Sequence, residues 1–146
     1  MAQVPVFEPV RIKAPVTAAA PSLTARPAYH AFAILYATFI ALPILAGADK
    51  LVGLLGYWDQ YLAPVVTKVL PIDAHTFMLG AGVVEMIAGV IVAISPRIGA
   101  WIVALWLWGI IANLLLVPGF YDVALRDAAL SLAALALARL SCEFGR

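Results

Sequence analysis

Four long apolar segments, separated by short polar or proline-containing stretches, dominate the pattern along the chain. They cover residues 29–48, 75–94, 98–117 and 123–140. At 1.5 Å per residue, a helix of about twenty residues spans roughly 30 Å, the thickness of the hydrocarbon core of a bilayer. The pattern therefore predicts an all-α fold, an integral membrane four-helix bundle.

Two regions outside these segments have their own character. Residues 1–28 contain five prolines, which cannot be accommodated in one helix, so we expect an extended N-terminal arm, either free or docked on a partner, ahead of a transmembrane domain at 29–146. Residues 49–74 form the longest connection, and apolar residues recur there at spacings of three and four. This spacing predicts a short interfacial amphipathic helix between spans one and two, interrupted at Pro64 and Pro71.

Composition supports a membrane location. The chain is 65% hydrophobic and only 12% charged, whereas about a quarter of the residues of a soluble protein are charged. The formal net charge is +1 and no basic run occurs, so we expect no nucleic-acid partner. The one cysteine, Cys142, excludes an intramolecular disulfide, a CxxC redox pair and a thiolate zinc site, and we expect no metal.

The distribution of Lys and Arg predicts the orientation in the membrane. Six of them fall on the arm, on the turn after span two and on the C-terminal tail, and three fall on the opposite side. Because positive residues concentrate on the cytoplasmic side, we expect a multi-pass protein of the bacterial inner (plasma) membrane with both termini in the cytoplasm.

Glu85 is the most unusual residue of the spans. It lies near the middle of span two, where a charged side chain costs about 2.5 kcal/mol or more, so it should face other helices. Gly82 and Gly89 share its face and would let a second helix come close. Two interpretations remain open: a structural carboxyl hydrogen-bonded to a neighbouring helix, or a proton acceptor in a proton- or quinone-linked function.

A second polar group is expected at the non-cytoplasmic face, where the end of span one meets the beginnings of spans two and four. We expect Lys50 to pair with Asp127, or Arg126 with Asp49, since unpaired charges near lipid are costly. Either a structural ion-pair cluster or a mouth for a ligand or proton would fit. The candidate binding residues are Glu85, Asn113, Asp49, Lys50, His75, Arg126 and Asp127. Asn113 either makes an interhelical hydrogen bond or lines a polar path inward to Glu85.

Several short motifs resemble those of a known family. They are GADK at 47–50, GVVEMIAGV around Glu85, SPRIGA at 95–100, and Tyr121 followed by ALRD at 124–127. On these residues the chain, from about 30 to 140, resembles the DoxX-like family of small four-helix membrane proteins. The resemblance implies association with membrane redox systems, including a small subunit of a thiosulfate:quinone oxidoreductase, and a helper role beside larger oxidoreductases. The proline-rich arm and the tail at 141–146 depart from the family pattern.

These observations lead to one main functional hypothesis and two alternatives. The main hypothesis is an accessory subunit of a bacterial membrane electron-transfer complex, linked to quinone, embedded in lipid and not catalytic on its own. No intrinsic cofactor is expected, and quinone or lipid is the candidate ligand. The first alternative is a quinone-reducing enzyme subunit with Glu85 as proton acceptor. The second is a small protein that conducts a proton or solute along Glu85 and Asn113.

Overall fold

The regular structure of residues 26–145, the part of the chain described by the computed structural model, is entirely helical. Four long helices carry the fold, with one short α-helix and one 3₁₀ turn between the first two of them. Residues 1–25 of the predicted arm lie outside the described residues. The helices are α1 Pro27–Val52, α2 Pro64–Val69, α3 Ala74–Ile94, α4 Pro96–Leu115 and α5 Tyr121–Phe144, and the 3₁₀ turn is Trp58–Tyr61.

Helix α1 is longer than the predicted span of 29–48. It begins at Pro27, where the missing N–H of proline costs nothing. It ends only at Gly53, which adopts the left-handed conformation (φ 67°) and donates its N–H to the Asp49 carbonyl. Asp49 and Lys50, which the sequence pattern assigned to the connection, therefore belong to the last turn of α1, and this changes which residues they can reach.

The connection after α1 differs from the prediction of one amphipathic helix interrupted at Pro64. It contains the 3₁₀ turn Trp58–Tyr61 and the separate six-residue α2, which starts at Pro64. The physical reason is that proline favours the first turn of a helix, so Pro64 starts a helix here instead of breaking one. Before the 3₁₀ turn, Leu54 and Leu55 are more than 80% exposed.

Helix α3 has a well-defined start. The Asp73 carboxylate accepts hydrogen bonds from the Thr76 hydroxyl (2.7 Å) and the Thr76 backbone N–H (2.9 Å), which satisfies one of the free amides of the first turn. The same hydrogen bonds hold the pKa of Asp73 below its usual value. The beginning of α3, and with it the register of Glu85, is therefore fixed by a local capping interaction.

The four long helices pack as two antiparallel pairs. The pairs are α1 with α3 and α4 with α5, and α3 and α4 join them. Small residues mark the closest approaches: a Cβ atom on Gly47 would collide with the Gly82 carbonyl, and one on Gly99 would lie 2.5 Å from the backbone nitrogen of Val92. The tight contacts of the bundle thus depend on glycine at these positions.

The core is alanine-rich in its middle and aromatic at one end. Phe32 stacks on Tyr36 at 5.6 Å, and Phe144 packs against Tyr29 at 5.8 Å, so this aromatic group joins the beginning of α1 to the end of α5. The central core residues are Phe39, Ala88, Val92, Ala100, Val103, Ala104, Ala134, Leu137 and Ala138.

Three of these helices, α1, α3 and α4, are long and apolar enough to cross a membrane. Helix α5 has 24 residues but carries five charged side chains along its length and is not among them. The described chain is thus an all-helical membrane protein by the length and composition of its helices.

Candidate functional site

A buried ion pair joins α1 to α3. Lys50 Nζ lies 2.7 Å from Glu85 Oε2, and each side chain is only 8% exposed. Helices α1 and α3 run antiparallel, since the Tyr36 hydroxyl near the start of α1 donates to the Ala93 carbonyl near the end of α3. Since side chains lean toward the N-terminus of their own helix, Lys50 and Glu85 lean toward each other, and the pair forms although their backbones lie on different levels.

Aromatic side chains complete the surroundings of both charges. Trp106 of α4 donates its indole N–H to Glu85 Oε1 at 3.3 Å, and the ring of Trp58 lies over Lys50 Nζ at 3.9 Å from its centroid. The ammonium group thus has a carboxylate and a π-face as partners, and the carboxylate has two donors. Such partners offset the cost of removing both charges from water.

Asp127 of α5 lies close to this pair. It shares a helix face with buried Ala124 and Ser131, at i−3 and i+4, and it is near enough for its charge to interact with Glu85 and Lys50. Each long helix therefore brings one polar or aromatic side chain to the same region. We refer to Lys50, Glu85, Trp106 and Asp127 together as the polar layer.

Asp49, the neighbour of Lys50, organises the chain that follows α1. It is 4% exposed, and its Oδ1 accepts hydrogen bonds from the backbone N–H groups of Leu54 (3.0 Å) and Leu55 (2.8 Å). Its Oδ2 accepts the indole N–H of Trp58 at 2.6 Å. One carboxylate thus folds the segment after α1 back over the polar layer.

The two ion pairs expected from the sequence are wrong. Lys50 pairs with Glu85 and not with Asp127, because α1 continues past residue 48 and the two side chains lean together. Arg126 does not meet Asp49. It forms an exposed pair with Asp122 one turn earlier on α5, at 3.2 Å, because consecutive residues of a helix point about 100° apart, and an inward Asp127 turns Arg126 outward.

His75 and Asn113 lie outside the polar layer. His75 is 67% exposed, with Nδ1 at 3.4 Å from Asp59 Oδ2. The Asn113 Oδ1 accepts the N–H of Ala63 at 2.9 Å, and its Nδ2 donates to the carbonyl of Tyr61 at 2.6 Å. Asn113 therefore holds the connection to α4, and these two hydrogen bonds go to backbone groups of the connection and not to a neighbouring long helix.

Replacing Asn113 by Leu is expected to loosen the connection without disturbing the bundle. The backbone groups of Tyr61 and Ala63 would lose their partners, each worth about 1 kcal/mol. Hydrogen exchange followed by mass spectrometry should show faster exchange in residues 58–63 and unchanged exchange in α3. Exchange in the connection equal to that of the unaltered protein would show that Asn113 does not hold it.

Sequence reasoning missed both tryptophans of the site. The candidate binding residues predicted from the sequence include neither Trp58 nor Trp106. The signal that could have found them is chemical: an indole N–H within an apolar region needs an acceptor, and the carboxylates of Asp49 and Glu85 are the buried acceptors nearby.

An ion pair buried among helices of membrane-spanning length defines the class of this chain, an all-helical membrane protein with an internal polar layer. Among residues 26–145 no group of His, Cys, Asp and Glu side chains is arranged to hold a metal ion. Comparison with protein-family models, with curated proteins and with solved structures gave no match.

Proposed function

We propose that the protein is a small accessory subunit of a bacterial inner-membrane, quinone-linked electron-transfer complex, that all four long helices cross the bilayer, and that both termini are cytoplasmic. The single observation that carries the accessory role is the Lys50–Glu85 pair, whose charged groups already have partners in one another, in the indole N–H of Trp106 and in the ring of Trp58. A charged pair whose partners lie on neighbouring helices of the bundle holds those helices together. The electron-transfer setting comes from the DoxX-like motifs around these residues.

The fourth crossing is supported by the outer surface of α5. Leu125 is 73% exposed and Leu132 is 65% exposed, and comparable apolar side chains are exposed on the outer faces of α3 and α4, such as Ile94 and Leu105. Large exposed apolar surfaces need a partner or a lipid phase. The charges of α5 either lie near its ends or, like Asp127, face the polar layer, and both placements suit a transmembrane helix.

The proposed topology makes a prediction about the native cysteine. Cys142 is exposed near the end of α5, so a membrane-impermeant maleimide should label it only after spheroplasts are permeabilised. As a matched control, Cys142→Ser combined with Leu54→Cys should be labelled in intact spheroplasts, because Leu54 lies at the opposite end of the bundle and is 83% exposed. Labelling of Cys142 in intact spheroplasts would contradict cytoplasmic termini.

The accessory role is tested by native purification. A tagged chain extracted in mild detergent should elute with redox-cofactor-bearing subunits at a fixed stoichiometry, visible on a native gel and identified by mass spectrometry. A variant lacking residues 2–25 tests whether the arm contributes to this association, since its proline-rich composition favours docking along a partner. Recovery of the full-length chain alone, folded and free of such subunits, would refute the proposal.

A second function is favoured by Asp127, because a second carboxyl beside a Lys–Glu pair is an arrangement that can take up a proton. In that case the protein conducts protons or supplies them to quinone, with Glu85 as the acceptor. Glu85→Gln and Asp127→Asn should then abolish proton flux into liposomes, or quinone reduction by the purified complex, while Asp122→Asn on the exposed face leaves both unchanged. Unaltered rates in the first two variants would eliminate this function.

A further inference from the structure

The segment after α1 is attached to the bundle near its ends and, in its middle, by Trp58 and by the Asp59 carboxylate, which lies 3.4 Å from Nδ1 of His75. We call residues 53–63 the strap. At its start the left-handed Gly53 reverses the chain, and at its end the buried Leu62 and Ala63 are held beside Asn113. Between these points Leu54, Leu55 and Tyr57 are 69–83% exposed, so the middle of the strap has little packing of its own.

Trp58, also in the middle of the strap, packs against the Lys50–Glu85 pair. Its ring covers the ammonium group of Lys50 at 3.9 Å, and its N–H is bound by Asp49. Lys50 remains 8% exposed even though it lies in the last turn of α1, next to the end of the bundle. The indole thus stands between the ion pair and the surroundings beyond the end of α1.

Asp49 holds the strap in this position. Its three donors all come from the strap, two from the backbone at Leu54 and Leu55 and one from Trp58. These contacts are local in sequence and involve one carboxylate, so they can be released together without disturbing the packing of α1 on α3. Segments with few buried apolar contacts are the ones that open locally at low free-energy cost.

From this geometry we infer that the strap is a hinged lid over the Lys50–Glu85 pair. The Trp58 ring covers the pair, the Asp49 carboxylate holds the lid closed, and opening of the lid admits water to the pair. The hinge is Gly53, the only described residue of the strap with a positive φ, and the fixed end is the Asn113 clamp. Opening would replace the π-face and the dry surroundings of Lys50 by water, which weakens the attraction between the two charges. The lid thereby controls how strongly α1 and α3 are fastened at this end.

The lid is tested through the fluorescence of Trp106, which contacts Glu85. The background carries Trp101→Phe and Trp108→Phe, because both rings are about half exposed on the outer surface. Adding either Trp58→Phe or Trp58→Ala leaves Trp106 as the one tryptophan of the chain. The Phe variant keeps an aromatic ring at position 58 to cover Lys50, and the Ala variant removes it. In nanodiscs, quenching of Trp106 fluorescence by aqueous iodide should rise about twofold or more from the Phe to the Ala variant. The reason is that water and iodide reach the ion pair more easily once no ring covers it.

A second substitution tests whether the Asp49 carboxylate holds the lid closed. Asp49→Ala added to the Trp58→Phe variant should raise the quenching toward that of the Ala variant, because the strap loses its backbone acceptor. Equal quenching in the Phe and Ala variants would overturn the lid, provided that circular dichroism shows unchanged helix content.

Hydrogen exchange on the unaltered protein keeps the inference testable if a variant does not fold. The amides of Leu54 and Leu55 and the indole N–H of Trp58 share one acceptor residue. Once each observed rate is corrected for the intrinsic exchange rate of its group, they should therefore give one common free energy of opening, lower than that of the α3 amides around Glu85. Exchange of these three groups only together with the α3 amides would show that the strap opens by global unfolding, and the lid would be rejected.

Discussion

Replacing Lys50 by Met is expected to destabilise the folded protein by roughly 3–5 kcal/mol, the range typical for breaking a buried ion pair by removing one partner. The substitution preserves most of the side-chain length but leaves the Glu85 carboxylate without its closest donor, which lies at 2.7 Å. Only the indole of Trp106, at 3.3 Å, would remain. The measurement is the free energy of unfolding in bicelles, compared with the unaltered chain.

The matched control is Lys68→Met, which removes the same charge from an exposed position on α2 and should change the unfolding free energy by less than about 0.5 kcal/mol. The double variant Lys50→Met with Glu85→Leu removes both charges and should recover most of the lost stability, because apolar replacements of a buried pair are often neutral or stabilising. If Lys50→Met were no more harmful than Lys68→Met, the pair would not fasten α1 to α3.

The double variant also separates structure from function. A stable bundle that still associates with the partner subunits proposed above would show that the pair acts only by holding α1 and α3 together. A stable bundle that has lost proton flux or quinone reduction would show that the charges have a chemical role, as in the second function above. Stability and activity therefore need to be measured on the same three variants.

The parts of the fold that follow from local pattern were predictable. Apolar segments of about twenty residues located the long helices, and the placement of Glu85 toward protein is confirmed by its 6% exposure. The expectation that Gly82 and Gly89 would let a second helix approach is confirmed too, since a Cβ at either position would meet α1 at 2.7 Å. These features depend on periodicity and side-chain size, which the sequence displays directly.

The partners within the site depend on features that periodicity does not encode. Lys50 meets Glu85 because α1 runs four residues beyond its apolar segment and because both side chains lean toward each other. Trp58 reaches Asp49 because a left-handed Gly53 reverses the chain. Asn113 meets backbone groups fifty residues away. Each contact was set by chain direction and packing register, and a single sequence gives no measure of either.

Introducing a side chain at Gly47 is expected to have the other large effect. A Cβ there would collide with the Gly82 carbonyl and lie 2.8 Å from the Cγ of Met86. Because a backbone carbonyl cannot move away as a flexible side chain can, α1 and α3 must separate. The cost of Gly47→Ala should be about 1–3 kcal/mol, the range for overpacked cores, and Gly47→Val should cost more. Unfolding free energies in bicelles provide the measurement.

Two other helical glycines provide the control for this prediction. A Cβ at Gly80 or Gly109 would meet nothing within 4 Å, and alanine is the better helix former by about 0.5–1 kcal/mol, so Gly80→Ala and Gly109→Ala should leave stability unchanged or raised. Lys50 lies one turn beyond Gly47, and separating the helices would also lengthen its contact with Glu85. The double variant Gly47→Ala with Lys50→Met should therefore lose less unfolding free energy than the sum of the two single losses, because both substitutions weaken the same Lys50–Glu85 contact. Strict additivity would show that the glycine contact and the ion pair act independently.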